Sequence, residues 1–412
     1  MKYKKVLLKD IAEVIMGSSP KSEFYSDVEG TPFLQGTRTF GRIYPEIDTY
    51  TTKTTRMANK DDILFSVRAP VGDINFAPTD LCIGRGLSCI KPISVHKEFL
   101  YYLLIGNIRM YESKSTGTIF SSINKKELEN LEFKIPSFND QKKIGDFLWS
   151  IDSKIEVNNS IISNLEELAQ TLFKHWFVDF EFPNEEGKPY KSSGGKMVES
   201  ELGMIPEGWK IKELNDISKE IICGKTPKTS VKEYYGGSLP FITIPDMHSQ
   251  VFALNTARYL TEEGQKSQMK KTLPPNSICV SCIATPGLVM LTCVPSQTNQ
   301  QINSVIPYEE DTYFLYLTLK NMSNLIKELG SGGSTTLNLN KTQFSKIKIT
   351  YPIQGIREKF NEKIESLFSK ILCLQKENQT LINMRDTILP KLLSGELELP
   401  DDMEVTDDVP IS

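Results

Sequence analysis

Two long stretches of the chain space their apolar residues alternately four and three apart. The first follows Pro136 and runs through Ile144, Leu148, Ile151, Ile155, Ile162, Leu165, Leu172 and Trp176. The second follows Pro352 and runs through Phe360, Ile364, Leu367, Ile371, Leu374, Leu381, Ile388 and Leu392. A period of seven held this long predicts a coiled-coil seam on a long helix. Two seams in the same phase on one chain predict that they pair with each other.

Each seam carries one asparagine, Asn158 and Asn378, and a buried amide costs stability unless it finds a polar partner. Antiparallel pairing that sets Asn158 against Asn378 also brings Ile144 to Leu392, Leu148 to Ile388, Ile155 to Leu381, Leu165 to Ile371 and Trp176 to Phe360. Parallel pairing would set the two asparagines against Leu374 and Ile162, at about 1–3 kcal/mol each. Antiparallel pairing is therefore expected. Arg385 then faces Ile151, and its guanidinium should reach outward to Asp152 or Glu156.

The stretches before Pro136 and Pro352 follow another pattern. Short β-branched and aromatic runs such as DILFSV and PFITI, broken by Gly, Pro and Asn, predict strand-rich mixed modules. They also repeat. LKDIAEVIMGSSPK from Leu8 matches LNDISKEIICGKTPK from Leu214 with one inserted residue, TPFLQ meets LPFIT, SVRAPVG meets SCIATPG, and STGTIFSSINK meets GGSTTLNLNK. The expected fold class is α+β: two tandem strand-rich mixed α/β domains, each followed by a long helix, with the helices pairing as an antiparallel coiled coil. The boundaries read as domain 1–137, helix 138–182, linker 183–205, domain 206–353, helix 354–396 and acidic tail 397–412. The linker, rich in Gly, Ser and charge, is expected to be a solvated connection.

With 48 Lys and Arg against 52 Asp and Glu, the net charge of −4 excludes a uniformly basic coat but allows local basic faces. Residues 1–137 carry 19 basic and 16 acidic side chains and 206–353 carry 15 and 12, a surplus of three in each, whereas 354–412 carry 7 and 12. The modules are thus basic relative to the second helix, which is consistent with phosphate contact. No apolar run approaches the ~20 residues of a membrane span, so a soluble, cytoplasmic protein is expected. Seven scattered cysteines fit reduced buried thiols, and CVSC at Cys279 and Cys282 lacks a fourth zinc ligand, so a core strand and no metal are expected. HExxH, GxSxG and the Asn-Pro-Pro-aromatic motif are missing. The loop Gly330 to Ser334 reads as a turn, and Asp61, Asp62, Glu309 and Glu310 read as loop tips. A binder is expected, with no catalytic residues.

The phrases IPSFNDQKKIGDFLWSIDSKIEVNN, LEELAQTLFKHWFVDFEFP, GMIPEGWKIKELNDIS, GKTPK and MRDTILPKLLSGELELP resemble the specificity subunit of type I restriction-modification systems, across essentially the whole chain. The resemblance implies that 1–137 and 206–353 are target-recognition domains, each reading one half of a split sequence in double-stranded DNA. It implies that the helices, a rod of about 60 Å at 1.5 Å per residue, set the spacer and carry two methyltransferase (modification) subunits. It further implies a chain with no cofactor of its own. S-adenosylmethionine for adenine methylation, and ATP and Mg2+ for cleavage by motor-nuclease (restriction) subunits, belong to its partners. The first copy begins MKYKKVLL where the second has GMIPEGW, a departure from the family pattern that leaves the closure of its edge open.

Arginines and amides are the usual major-groove readers. The candidates are Gln35, Thr37, Arg38, Arg42, Arg56, Arg68 and Arg85 in the first module, and Thr243, Asp246, His248, Gln250, Arg258, Gln297, Asn299 and Gln300 in the second. For each one, a loop side chain bonding its own backbone is at least as common. Lys125 and Lys341, equivalent in the repeat, are candidate phosphate contacts. One arginine in the second module against six in the first points to amides, hydroxyls and lysines there. Trp176, Phe177 and Phe180 read as core, with partner docking a lesser reading. The competing classes are a self-contained DNA methyltransferase, whose cofactor motifs are missing, and a coiled-coil scaffold binding only protein, which would leave both modules without a purpose.

Overall fold

Strands form where the short apolar runs predict them. Ile63–Ser66 is buried at all four positions, the pattern of a strand covered on both faces. Glu132–Ile135 alternates exposed and buried, the pattern of a strand with one wet face. The computed structural model describes residues 2–107, 122–248, 250–330 and 338–400. It divides into two units, Met1–Glu156 with Thr380–Ser412, and Val157–Gln379.

In the first unit an antiparallel sheet has the order Ala12–Met16, Leu87–Pro92, Ile63–Ser66, Ile74–Phe76. A second sheet has the order Tyr25–Ser26, Tyr50–Thr51, Thr31–Leu34, Leu81–Ile83, Met57–Ala58, with Thr31–Leu34 and Leu81–Ile83 parallel. The helix Lys97–Gly106 buries Phe99 to Leu104 in the first sheet's core. The second unit repeats the plan. Ser218–Cys223, Ile302–Pro307, Ile278–Ser281, Val289–Thr292 and Phe252–Ala253 form one sheet. Tyr235–Ile242 pairs in parallel with Gln297–Thr298 in the other. The two domain edges close alike: Lys4–Leu7 pairs with Glu132–Ile135, and Lys210–Glu213 with Lys348–Tyr351.

The long helices are Phe138–Phe177 and Gln354–Ser394. Ser137 Oγ accepts from Asp140 N at 3.3 Å at the start of the first, and Gly395, at φ 78°, follows the end of the second. They are not separate bodies. The start of the first helix (Ile144, Leu148) and the end of the second (Leu389, Leu392) complete the core of the first unit. Phe173, Trp176, Phe360 and Ile364 complete that of the second. The pairing is antiparallel. Trp176 lies 5.6 Å from Phe360, and Asn158 Nδ2 donates to Asn378 Oδ1 at 2.8 Å. Asn378 Nδ2 in turn donates to Asn159 Oδ1 at 2.8 Å. Arg385 sends its guanidinium to Asp152 at 2.8 Å.

Asn158 is fully buried and Asn378 nearly so. Replacing Asn158 alone by leucine should therefore cost about 1–3 kcal/mol, since it strands a buried amide. Replacing both by leucine should recover most of that loss. Urea unfolding of the two single variants and the double variant reads this coupling, and additive costs would show that the asparagines do not act as a pair.

The first helix stops at Phe177 rather than at 182. Phe180 takes φ 62° and turns the chain back, so that Phe180 and Phe182 pack on Trp209 at 5.6 and 5.1 Å. The linker expected at 183–205 is exposed or half-buried up to Ile205, as a solvated connection should be, but it is ordered. Tyr190 stacks on Phe182 at 4.6 Å, and Met197–Ser200 pairs with Gly203–Pro206 as a hairpin. Trp176 and Phe177 are core residues.

The cysteines are free. Burial pushes the Cys279 thiol up to about 12 and Cys282 up to about 11, the state of inert core thiols. Cys82 and Cys89 are buried too, whereas Cys223 and Cys293 are half-buried and Cys373 is exposed. The Gly-rich residues 331–334 and the tail beyond Pro400 lie outside the described residues. Among the described residues no helix is long and apolar enough to cross a membrane.

Candidate nucleic-acid interface

A ladder of backbone hydrogen bonds gathers several turns of the first unit into one surface. Gly17 N donates to Leu87 O, Ser18 N to Ile83 O, Gly84 N to Leu34 O, Val67 N to Gly86 O and Ile123 N to Val67 O, all at 2.8–2.9 Å. The second unit repeats it rung for rung. Gly224 N donates to Ile302 O, Lys225 N to Thr298 O, Asn299 N to Ile242 O, Cys282 N to Gln301 O and Leu339 N to Cys282 O, at 2.8–3.1 Å. Gly17 and Gly224 hold corresponding places for a steric reason. A Cβ on Gly17 would lie 2.1 Å from Gly84 O, and one on Gly224 would lie 2.1 Å from Asn299 O. Only a residue without a side chain lets these turns close.

Several of the expected readers surround this frame. Gln35, Arg56, Arg68 and Arg85 are exposed. Gly86 N donates to Gln35 O at 3.1 Å and Ile83 N to Arg56 O at 2.8 Å, which ties their backbones to the ladder. Thr37 is half-buried, and Arg38 forks onto Asp48 at 2.7 and 2.8 Å. In the second unit His248, Arg258 and Gln300 are exposed, while Thr243 and Gln250 are half-buried.

Five candidates are spent on the protein itself, among them Thr243, whose Oγ1 donates to Asp246 Oδ2 at 2.6 Å. Arg42 is half-buried, with Nη2 on Asp152 and Nη1 3.4 Å from Glu156. Asp246 accepts from Thr243 N at 2.8 Å and Ala257 N at 2.7 Å, an acceptor that organises a turn. Gln297 is fully buried on a strand, where its Nε2 donates to Thr272 Oγ1 at 2.9 Å and its Oε1 accepts from Gln268 at 2.8 Å. Asn299 accepts from Gln301 N at 3.1 Å and holds the turn that carries Gln300. A side chain whose polar atoms are committed within the fold presents none to a base.

Lys125 and Lys341 occupy matching places. Each opens a short helix, Lys125–Glu129 or Lys341–Ser345, behind an asparagine cap: Asn124 accepts from Glu127 N and Asn340 from Gln343 N. Lys125 also pairs with Glu129 at 3.5 Å. Sequence reasoning did not single out Lys225 and Lys228, exposed on the turn that begins at Gly224. The repeat GSSPK against GKTPK was the available signal. Beside this turn lies an open cleft of about 600 Å³ lined by Tyr235, Arg258 and Tyr259. Tyr235 donates to Pro227 O at 2.8 Å, and burial pushes its hydroxyl up, which keeps it a neutral donor.

One group of possible metal donors stands among the described residues, His96, Glu98 and Asp146. His96 turns Nδ1 to Glu98 at 3.4 Å and Nε2 to Asp146 at 3.6 Å. The two carboxylates lie on opposite ring nitrogens, so His96 could offer only one of its nitrogens to an ion shared with both.

The profile of a family described as "Type I restriction modification DNA specificity domain" matches residues 1–167 and 206–383. The chain is 39% identical over 401 residues to the type I restriction enzyme HindI specificity subunit of Haemophilus influenzae, covering 82% of this chain and 87% of that one. It is 29% identical over 415 residues to the type I restriction enzyme MjaIX specificity subunit of Methanocaldococcus jannaschii, covering 95% and 93%. In fold it is similar to the S subunit of a type I restriction-modification system from M. genitalium, with a TM-score of 0.61 at 18% identity and coverage of 98% and 97%.

Proposed function

This chain belongs to the type I restriction-modification DNA specificity family, and from that premise we propose that its two units each read one half of a split target in double-stranded DNA. The observation that carries this reading is the repeated ladder: one backbone frame, present twice, displays different exposed side chains in each copy. Two similar readers on one chain produce a bipartite site whose halves differ, and the base pairs between the halves count only by their number.

The chain supplies recognition rather than chemistry. Two modification subunits bind it and methylate adenine from S-adenosylmethionine, and restriction subunits that use ATP and Mg2+ cleave unmodified DNA. Such a complex works in the cytoplasm. Lys125, Lys341, Lys225 and Lys228 contact phosphate, and contacts of that kind hold the protein in place without selecting sequence.

The test exchanges residues 1–137 for the corresponding domain of a relative and sequences the methylated motif made by the assembled complex. One half of the motif should change and the other should persist. A change in both halves would end the assignment of one unit to one half-site. Transfer of labelled methyl groups by the purified chain alone would return the self-contained methyltransferase to consideration.

A further inference from the structure

Within the repeated ladder, residues 83 to 87 of the first unit correspond to 298 to 302 of the second, rung by rung. Arg85 therefore stands where Gln300 stands. We infer that Arg85 and Gln300 are equivalent base-reading residues, Arg85 for a guanine in the half-site of the first unit and Gln300 for an adenine in the half-site of the second. This rests on the reading that each unit serves one half-site.

Both side chains are exposed, although each follows a buried residue, Gly84 or Asn299. A hydroxyl at the same place in the preceding turn holds the backbone of the first and the side chain of the second. Ser19 Oγ accepts from Arg85 N at 3.2 Å, and Thr226 Oγ1 donates to Gln300 Oε1 at 2.7 Å. Ser19 and Thr226 correspond in the repeat, two residues beyond Gly17 and Gly224. The Arg85 guanidinium has no hydrogen-bond or ion-pair partner among the described residues. Glycines flank it on both sides, and a Cβ on Gly84 or Gly86 would meet the backbone of Gln35 at 2.8 or 2.5 Å.

The chemistry separates base from phosphate. A contact that serves phosphate charge is best kept by a cation in both copies, as at Lys125 and Lys341. Arg85 and Gln300 exchange a charged group for a neutral one, but both keep a planar, two-point hydrogen-bonding end. Arginine presents two donors, matching guanine O6 and N7, while an amide presents a donor and an acceptor, matching adenine N7 and N6. The bond from Thr226 takes one lone pair of Gln300 Oε1, leaving the second lone pair and both Nε2 hydrogens for that task.

The experiment uses the full chain assembled with its modification subunits and reads the methylated motif of wild type, Arg85→Gln, Gln300→Arg and the 1–137 exchange. Arg85→Gln should shift one position of one half-site from guanine to adenine, or erase the preference there, with a loss of discrimination of roughly 5- to 100-fold. Gln300→Arg should act on one position of the other half-site. If a variant complex does not methylate, duplexes that it selects from a randomised pool report the same preference. Equal weakening on every sequence would make these residues phosphate contacts and overturn the inference. An unchanged motif in both variants, alongside a domain exchange that alters one half, would overturn it and leave the proposed function standing. A domain exchange that itself altered both halves or neither would instead remove the reading on which it rests.

Discussion

Replacing Asp152 with alanine is expected to cost about 3–5 kcal/mol, because it leaves a buried charge cluster without its anion. The Asp152 side chain is 2% exposed, and it accepts from three donors: Arg42 Nη2, Arg385 Nη1 at 2.8 Å and Tyr102 OH at 2.6 Å. These donors come from a surface turn, the second long helix and the helix Lys97–Gly106. Burial and the negative charge of Asp152 hold the Tyr102 hydroxyl well above its ordinary range, so it remains a donor at any working pH. With the carboxylate gone, two guanidinium groups lose their buried counter-charge, and Arg385 keeps the exposed Asp386 at 2.7 Å. Glu156 still faces Arg42 at 3.4 Å, but it reaches only that one of the three. Urea unfolding followed by far-UV circular dichroism measures the loss. A cost below about 1 kcal/mol, the scale of an exposed ion pair, would mean that water already screens the cluster.

The second large effect is expected at Phe360. This ring is fully buried, and its centroid lies 4.7 Å from Phe177, 5.6 Å from Trp176 and 6.3 Å from Phe173. Phe177 in turn packs on Phe314 at 4.9 Å and Trp209 at 5.9 Å, so removing Phe360 opens a cavity beneath an aromatic cluster that joins both helices to the domain. Phe360→Ala should cost about 3–5 kcal/mol, and Phe360→Leu clearly less, since leucine refills part of the volume. Thermal unfolding followed by tryptophan fluorescence reads this, with Trp176 and Trp209 reporting from the site. Equal costs for alanine and leucine would show that ring contacts rather than filled volume carry the energy.

The helices were legible because a period of seven leaves few alternatives over such a length. The asparagine pair was legible because a buried amide must be matched. Arg385 meeting Asp152 followed from the same register. Which loop side chains point outward was not legible. Gln297 and Gln300 stand three residues apart in one polar phrase, yet the first is interior because Gln297–Thr298 pairs with Phe241–Ile242, and the second lies on the turn beyond. Arg42 read as a groove contact because its acceptor, Asp152, lies 110 residues away. The order of the solvated linker was not legible, because Phe182, Tyr190 and Trp209 sit in three phrases whose stacking no local pattern reveals.

Sharing the long helices between units has a consequence for the order in which the protein takes shape. The second unit, Val157–Gln379, is continuous in the chain and can assemble its core as soon as it leaves the ribosome. The first unit cannot. Its core waits for Leu389 and Leu392, and Tyr3 at one extreme of the chain donates to Leu392 O at 3.1 Å near the other. The domain synthesised first is therefore finished last, and until then its apolar floor stands open beside Phe65 and Phe99. A premature stop or a proteolytic nick near residue 380 would spare the later-made domain and strand the earlier one.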